Sequence, residues 1–322
     1  MNQALKQKPI VLLALGGHAF MKNSEDGSVE VHEKNAAEIC RSLADLADNK
    51  YRMVVTHGNG PQVGNLLLLN ESGDPSVPKM PLDVLVAQTE GSLGYFLQQA
   101  LLNELIARGH EKYVMTVVSQ VLVDAEDAAF RAPSKPVGPF LSKEEAEKRR
   151  QALGWIISED PAGRGWRRSV PSPKPVRVVQ GRMIRESAEA GHIVIACGGG
   201  GVPVIERSGG GFQGVEAVVD KDLTSSILAT QIGAEIFVIL TEVPNIFQDF
   251  NTPEERPITA VTVEELLELQ TAGAFPEGSM GPKVQAAIDF LERGGKRAVV
   301  TNPDNLLSAL SGRGGTHVIG AC

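Results

Sequence analysis

Val54-Val55-Thr56-His57-Gly58-Asn59-Gly60-Pro61-Gln62-Val63-Gly64-Asn65-Leu66 joins a short apolar run to a loop of glycines, an amide and a proline. The apolar run reads as a buried strand, and the glycines let the backbone turn with its N–H groups exposed. A following helix then points its positive end at whatever lies there, which suits an anion, usually a phosphate. Two more junctions of this kind occur, at Val11-Leu12-Leu13-Ala14-Leu15-Gly16-Gly17-His18 and at Ile193-Val194-Ile195-Ala196-Cys197-Gly198-Gly199-Gly200-Gly201. A tight turn explains one glycine loop as well as a ligand does. Three on strand ends in one chain point to a multi-phosphate site.

Around these junctions, strand-like runs recur at Ile10–Leu15, Arg52–Thr56, Tyr113–Val123, His192–Cys197, Glu235–Leu240 and Arg297–Thr301. Most are continuously apolar, as strands buried on both faces are. Between them lie helical stripes, one through Ala36, Ile39, Cys40, Leu43, Leu46 and Ala47, another through Val284, Ala287, Ile288 and Leu291. A long helix is expected over Leu82–Arg108, ended by Gly109. Strands alternating with helices predict an α/β fold with a mostly parallel sheet covered on both faces. Val202–Ile205, Gly209-Gly210-Gly211 and Val215–Val219 read as an inserted β-hairpin.

With 322 residues, 42% of them hydrophobic, the chain can bury a large core in one α/β domain or two lobes. A formal charge of −8 argues against nucleic acid or an anionic membrane as the main partner, while leaving room for a local basic pocket. Cys40, Cys197 and Cys322 have neither the number nor the spacing of a disulfide framework or a zinc site. The first apolar run, Ile10–Leu15, is too short for a signal peptide core or a membrane span, so a cytoplasmic protein is expected.

Asp124–Pro175 breaks the rhythm, with seven prolines, both tryptophans (Trp155 and Trp166) and a charged helix near Ser142–Leu153 whose Ser142 and Glu145 fit a capping box. It reads either as a solvated excursion or as a small lid; Lys135, Arg164, Arg167, Arg168 and Lys174 favour a lid over anions.

The signatures GxxxxGK[ST], HExxH and GxSxG are absent, and Gly58-x-Gly60-x-x-x-Gly64 misses the dinucleotide spacing by one residue. His57 reads as a turn-stabilising imidazole before a catalytic base. The chemistry falls to lysines and an acidic pair. Asp220-Lys221-Asp222 follows an apolar strand and opens a helix; either acid alone fits an N-cap. Lys221 is the anomaly, because a cation at a helix N-terminus opposes the dipole unless an anionic ligand is near. Lys283 sits likewise just after Gly278-Ser279-Met280-Gly281-Pro282, and Lys135 lies in the stiff Pro133-Ser134-Lys135-Pro136-Val137-Gly138-Pro139.

The stretches Leu15–Ala19, His57–Leu69, Ser134–Leu141, Ala162–Pro175, Cys197–Pro203, Gly214–Asp222 and Gly278–Lys283, in this order, resemble carbamate kinases of the amino acid kinase superfamily, essentially end to end. The resemblance implies a three-layer αβα sandwich with an open, mainly parallel eight-stranded sheet, a homodimer, and a protruding subdomain over 124–175. It implies one domain over 1–322, with an N-terminal lobe (1–190) for carbamate and the phosphoryl group and a nucleotide lobe (191–322). The implied reaction is reversible phosphoryl transfer between ATP and carbamate, with Mg2+, used in arginine or nitrogen catabolism to make ATP. By the same resemblance Gly16, Gly17, His18, Gly58, Asn59, Gly60, Gly199 and Gly200 hold substrate and phosphate. Lys135 reaches in from the subdomain, Lys221 and Lys283 stand beside the phosphates, and Asp222 orients them. Thr241, Val243 and Met280, with the two lysines, fall on the nucleotide, and no protein ligand to a metal is implied.

Two positions depart from the family's habit. The first loop reads Gly16-Gly17-His18 where Gly-Gly-Asn is usual, and His18 is bulkier and can ionise. Thr241-Glu242-Val243-Pro244-Asn245-Ile246 stands where a Val-Asp-containing turn is common, and Pro244 lacks an N–H. Carbamate is already anionic, so the reaction needs charge stabilisers and positioning, not a general base. A kinase for another small carboxylate or a phosphonate, and a non-catalytic sensor on the same fold, are the alternatives; the set of Lys135, Lys221, Asp222 and Lys283 disfavours the sensor.

Overall fold

Residues alternate sides along a strand, so a continuously apolar strand must feed two cores at once. In the computed structural model, which describes residues 8–22, 25–49, 51–160, 163–250, 252–276 and 279–320, the first strand, Ile10–Leu15, does this. Ile10, Leu12 and Ala14 join one hydrophobic core with Phe237, Ile239, Ile288 and Phe290. Val11, Leu13 and Leu15 join the other with Leu43, Leu97 and Leu101. Ala162, Gly278 and Cys322 lie outside the described residues, as does the side chain of His18.

Eight strands form the main sheet in the order Ala260–Thr262, Thr316–Ile319, Arg297–Thr301, Ile236–Leu240, Ile10–Leu15, Arg52–His57, Ile193–Ala196 and Val114–Val117. All neighbours are parallel except Arg297–Thr301 with Thr316–Ile319. Register matters most for function. Leu15 lies beside both His57 and Leu240, and Leu240 beside Thr301. Gly16, Gly58, Thr241 and Asn302 therefore leave the sheet along one edge, the carboxyl end of parallel strands where open α/β sheets bind ligands.

Helices Val29–Asn49 and Leu82–Ala107 cover one face; Gly181–Glu189, Lys221–Gln231, Val263–Thr271 and Met280–Glu292 cover the other. The long helix and the strands at Ile10–Leu15 and Arg297–Thr301 keep the expected bounds to within a residue. The single strand expected over Tyr113–Val123 is instead two, Val114–Val117 in the main sheet and Gln120–Val123 in a second sheet. Between them the buried Ser119 N–H turns inward to Glu90 Oε2 (2.7 Å), which takes the chain out of the first ladder. The hairpin is also corrected: Val202–Glu206 pairs with Phe212–Gly214. Val215 N–H still reaches Pro203 O (3.1 Å) on that partner strand, but Val218 N–H turns to Pro171 O (3.0 Å), and the expected second strand ends early. The strands Ala260–Thr262 and Thr316–Ile319, at one end of the sheet, gave no sequence signal.

The proline-rich segment hangs from an antiparallel pair, Gln120–Val123 with Pro175–Val178. Within it Lys135–Leu141, Trp166–Val170 and Ile157–Glu159 make a separate three-stranded sheet, and Lys143–Leu153 is a helix with the expected capping box. Val137, Leu141, Trp155, Ile157 and Val170 form one core with Val63, Leu67, Leu85 and Val86 of the main body. An excursion short of apolar anchors is therefore not what forms.

Candidate active site

The three glycine loops meet at the sheet edge. Gly16 N–H donates to Leu240 O (3.1 Å) and Gly58 N–H to Leu15 O (3.1 Å), so the first two loops are each tied to a neighbouring strand. They also touch: a Cβ on Gly58 would lie 3.0 Å from the Gly17 nitrogen. Asn59 packs on Gly199, with which any side chain at 199 would collide, and the φ of +65° there is one that only glycine adopts freely. Gly200 O accepts from the Thr224 hydroxyl (3.0 Å) in the helix Lys221–Gln231.

That helix starts where expected. Asp220 is its N-cap: Oδ1 accepts from the Asp222 N–H (2.9 Å) and the Leu223 N–H (3.2 Å). Asp222 has a different task. Its buried carboxylate stands between Lys221 Nζ (2.8 Å) and Lys283 Nζ (3.1 Å). Burial pushes the Asp222 carboxyl up, but the two ammonium groups outweigh it and hold the group well below the usual carboxylate range. Burial lowers the Lys221 ammonium, and Asp222 pulls it back up. Lys221 also donates to Leu15 O (3.0 Å), one residue before the first glycine loop. Two cations on one carboxylate leave a local positive excess at the sheet edge, which an anion can use.

Lys135 arrives from the other side. Its Nζ donates to Val219 O (3.2 Å) and pairs with Asp220 Oδ2 (3.3 Å), so the three-stranded sheet is pinned to the start of the same helix. Of the other basic residues in that segment, Arg164 is clamped by Asp160 and faces the site. Arg167 donates to Gly138 O, and Arg168 lies over the Trp155 ring, 4.9 Å from its centroid.

A cavity of about 1190 Å³ opens from the first loop. Gly16, Gly17, Thr241, Val243, Met280 and Lys283 all line it, which gathers expected residues more than 250 positions apart in sequence. Phe247, Phe250, Phe275 and Asn302 line it too and went unnoticed; the closely spaced aromatic pair Phe247-x-x-Phe250 was the available signal. Gly58, Asn59, Gly60, Gly199 and Gly200 do not line this cavity. All but Gly60 are buried. The Asn59 amide is committed inward, donating to Thr89 Oγ1 (2.8 Å).

His57 is the turn-stabilising imidazole expected. It is buried, its Nδ1 bonds Gly58 O (3.0 Å), and burial lowers its pKa to about 4, with Lys221 adding to the effect and the Gly58 bond opposing it. It is neutral at pH 7.

The chain matches the amino acid kinase family over residues 9–302. It is 48% identical to a carbamate kinase of Thermococcus kodakarensis, an alignment covering 96% of this chain and 98% of that protein. It is 42% identical to one of Halobacterium salinarum, covering 96% and 98%. A crystal structure of carbamate kinase from Giardia lamblia bound to AMP-PNP superposes with a TM-score of 0.91 at 38% identity, covering 98% of this chain and 100% of that one.

Proposed function

The chain belongs to the amino acid kinase family, and from that premise we propose that it is a carbamate kinase. It transfers a phosphoryl group reversibly between ATP and carbamate, giving ADP and carbamoyl phosphate. The observation that carries the mechanism is the pair of lysines astride Asp222 at the meeting point of the glycine loops and the large cavity.

In the synthetic direction a carbamate oxygen attacks the γ-phosphorus and the bond to the ADP oxygen breaks. The nucleophile is already an anion, so no base is needed; the obstacle is repulsion between two anions and the charge spread over the phosphoryl oxygens in flight. Lys221 and Lys283 supply compensating charge there, and Asp222 fixes both ammonium groups so that little reorganisation accompanies transfer. Lys135 brings a third cation from the 124–175 subdomain. The loops at Gly16–His18 and Gly58–Gly60 hold the phosphoryl group and the small acceptor, with Gly199 and Gly200 beneath them. Thr241, Val243, Met280, Phe247 and Phe250 surround the nucleotide base and sugar.

A kinase using ATP implies a divalent metal. Among the described residues no group of three His, Cys, Asp or Glu is placed to hold one. In this reading the ion is Mg2+ and arrives as part of the nucleotide, held mainly by phosphate oxygens.

This reading assigns residues 1–190 to the acceptor lobe and 191–322 to the nucleotide lobe. It extends to a homodimer, for which the exposed Tyr95, Ile106 and Tyr113 beside the edge strand Val114–Val117 offer an apolar surface. No helix among the described residues is long and apolar enough to cross a membrane. A cytoplasmic setting, where ATP and ADP are at hand, goes with the reading.

The test is ATP formation from ADP, Mg2+ and carbamoyl phosphate, with acetyl phosphate in parallel. Robust ATP formation from carbamoyl phosphate alone is expected. Equal rates with both donors would point to a broader acyl phosphate kinase, and no ATP with carbamoyl phosphate would overturn the assignment.

A further inference from the structure

Two of the three glycine loops depend on one helix that no part of the mechanism uses. Thr89 and Glu90 are adjacent on the buried side of Leu82–Ala107, with exposures of 0% and 1%. Thr89 Oγ1 accepts the amide of Asn59 and donates to Val86 O (2.7 Å), so the hydroxyl is fully employed. That bond sets the side chain on which Gly199 rests.

Glu90 holds the third loop from below. Its Oε2 accepts the Ser119 N–H, and the Ser119 hydroxyl accepts the N–H of Cys197 (3.0 Å). Cys197 has φ +52°, a left-handed conformation that is strained for a non-glycine residue and persists only when its surroundings impose it. Gly198 sits directly on the glutamate: a Cβ there would lie 3.1 Å from Glu90 Cγ and 2.5 Å from the His57 ring. Glu90 is buried with only the Ser119 and Gly198 N–H groups to stabilise a charge, which an ionised carboxylate tolerates poorly. Burial raises the Glu90 carboxyl well above its ordinary range, the Ser119 and Gly198 N–H groups opposing, which favours the neutral acid. Buried neutral neighbours, Cys197 and His57, complete the surroundings.

We propose that Thr89 and Glu90 are positioning residues that fix the spacing between the Asn59 and Gly198 loops, and so set affinity for the acyl phosphate without touching it. The proposal rests on the carbamate kinase reading. The nucleotide cavity is lined from other elements, so its affinity is independent of the pair.

Glu90→Ala removes the acceptor of the buried Ser119 N–H and opens space under Gly198. The KM for carbamoyl phosphate is expected to rise at least about tenfold while the KM for ADP stays within about twofold. Glu90→Gln, a neutral acceptor of the same shape, is expected to keep both constants within about threefold of the parent. Thr89→Val, which keeps shape and loses only the hydroxyl, guards against a Glu90→Ala protein that fails to fold and is expected to act in the same direction. Amide exchange of Asn59–Gly60 and Gly198–Gly200 should quicken in Glu90→Ala and Thr89→Val and not in Glu90→Gln, a readout that needs no activity. An inactive parent chain would overturn the carbamate kinase reading and leave the exchange result to decide the brace. Unchanged exchange, or equal rises in both KM values, would overturn the brace itself.

Discussion

Gly64→Ala tests whether the three-stranded sheet holds Lys135 in place. Gly64 lies in the helix Gly60–Ser72 and meets Gly138 of the strand Lys135–Leu141 backbone to backbone. A Cβ at 64 would sit 2.8 Å from the Gly138 nitrogen and closer still to its Cα, whereas ordinary contact begins at 3.4 Å. The strand must retreat by at least about 0.6 Å, and no side chain lies between to absorb it. Lys135 is three residues earlier on that strand, at 3.2 and 3.3 Å from its partners, so such a shift takes the ammonium beyond hydrogen-bond reach. Misplacing a catalytic group by ~1 Å costs on the order of a hundredfold, so kcat should fall about 10- to 100-fold. Stability should change less. Overpacking costs about 1–3 kcal/mol, against which alanine favours the helix by about 1 kcal/mol. The assay is kcat for ATP formation in four proteins: parent, Gly64→Ala, Lys135→Ala and the double variant. If the glycine acts through Lys135, the double variant is no slower than Lys135→Ala alone. Fully additive losses, or a folded Gly64→Ala protein with parental kcat, would refute the reasoning.

Lys221→Ala and Lys283→Ala should each lower kcat about 10²–10³-fold while changing the KM for ADP far less; unchanged turnover in either removes that residue from the mechanism. His57 is held neutral, its pKa lowered to about 4, while in the unfolded chain it takes a proton near 6.5. Between those values the unfolded state binds more protons, so His57 contributes up to about 3 kcal/mol that is present above pH 6.5 and lost as pH falls toward 4. Urea melts of the parent and of His57→Asn at pH 7 and pH 5 read this out, and equal slopes against pH in both proteins would exclude it. Phe247→Ala should raise the KM for ADP several-fold and leave that for carbamoyl phosphate unchanged, since Phe247 lines the large cavity and the loops at Gly58–Gly60 and Gly199–Gly200 do not; the reverse pattern would reassign the cavity.

The sequence by itself determined the parts of this protein that depend on local composition. Continuously apolar runs announced strands buried on both faces, glycines after them announced the three loops, and Ser142 with Glu145 announced a helix start. Each is written in residues close together in the chain. Lysines 221 and 283 stood out because a cation at a helix start is locally unfavourable, which is also a local argument. What lay outside the sequence were features set by partners distant in the chain. Tyr113–Val123 reads as one strand because its apolar pattern is continuous; it breaks because Ser119 meets Glu90 on another helix. Asp220 and Asp222 are equivalent candidates for a cap until the fold gives one the helix N-terminus and the other two lysines, one of them 61 residues away. Asn59 looked like a ligand residue, and only packing shows its amide turned inward onto Thr89. Glu90 gave no signal, because an acid in an expected helix reads as solvated, and it takes tertiary burial to push its carboxyl up. Local pattern fixes what an element is; which groups are dry, paired or strained is decided by what the fold sets against them.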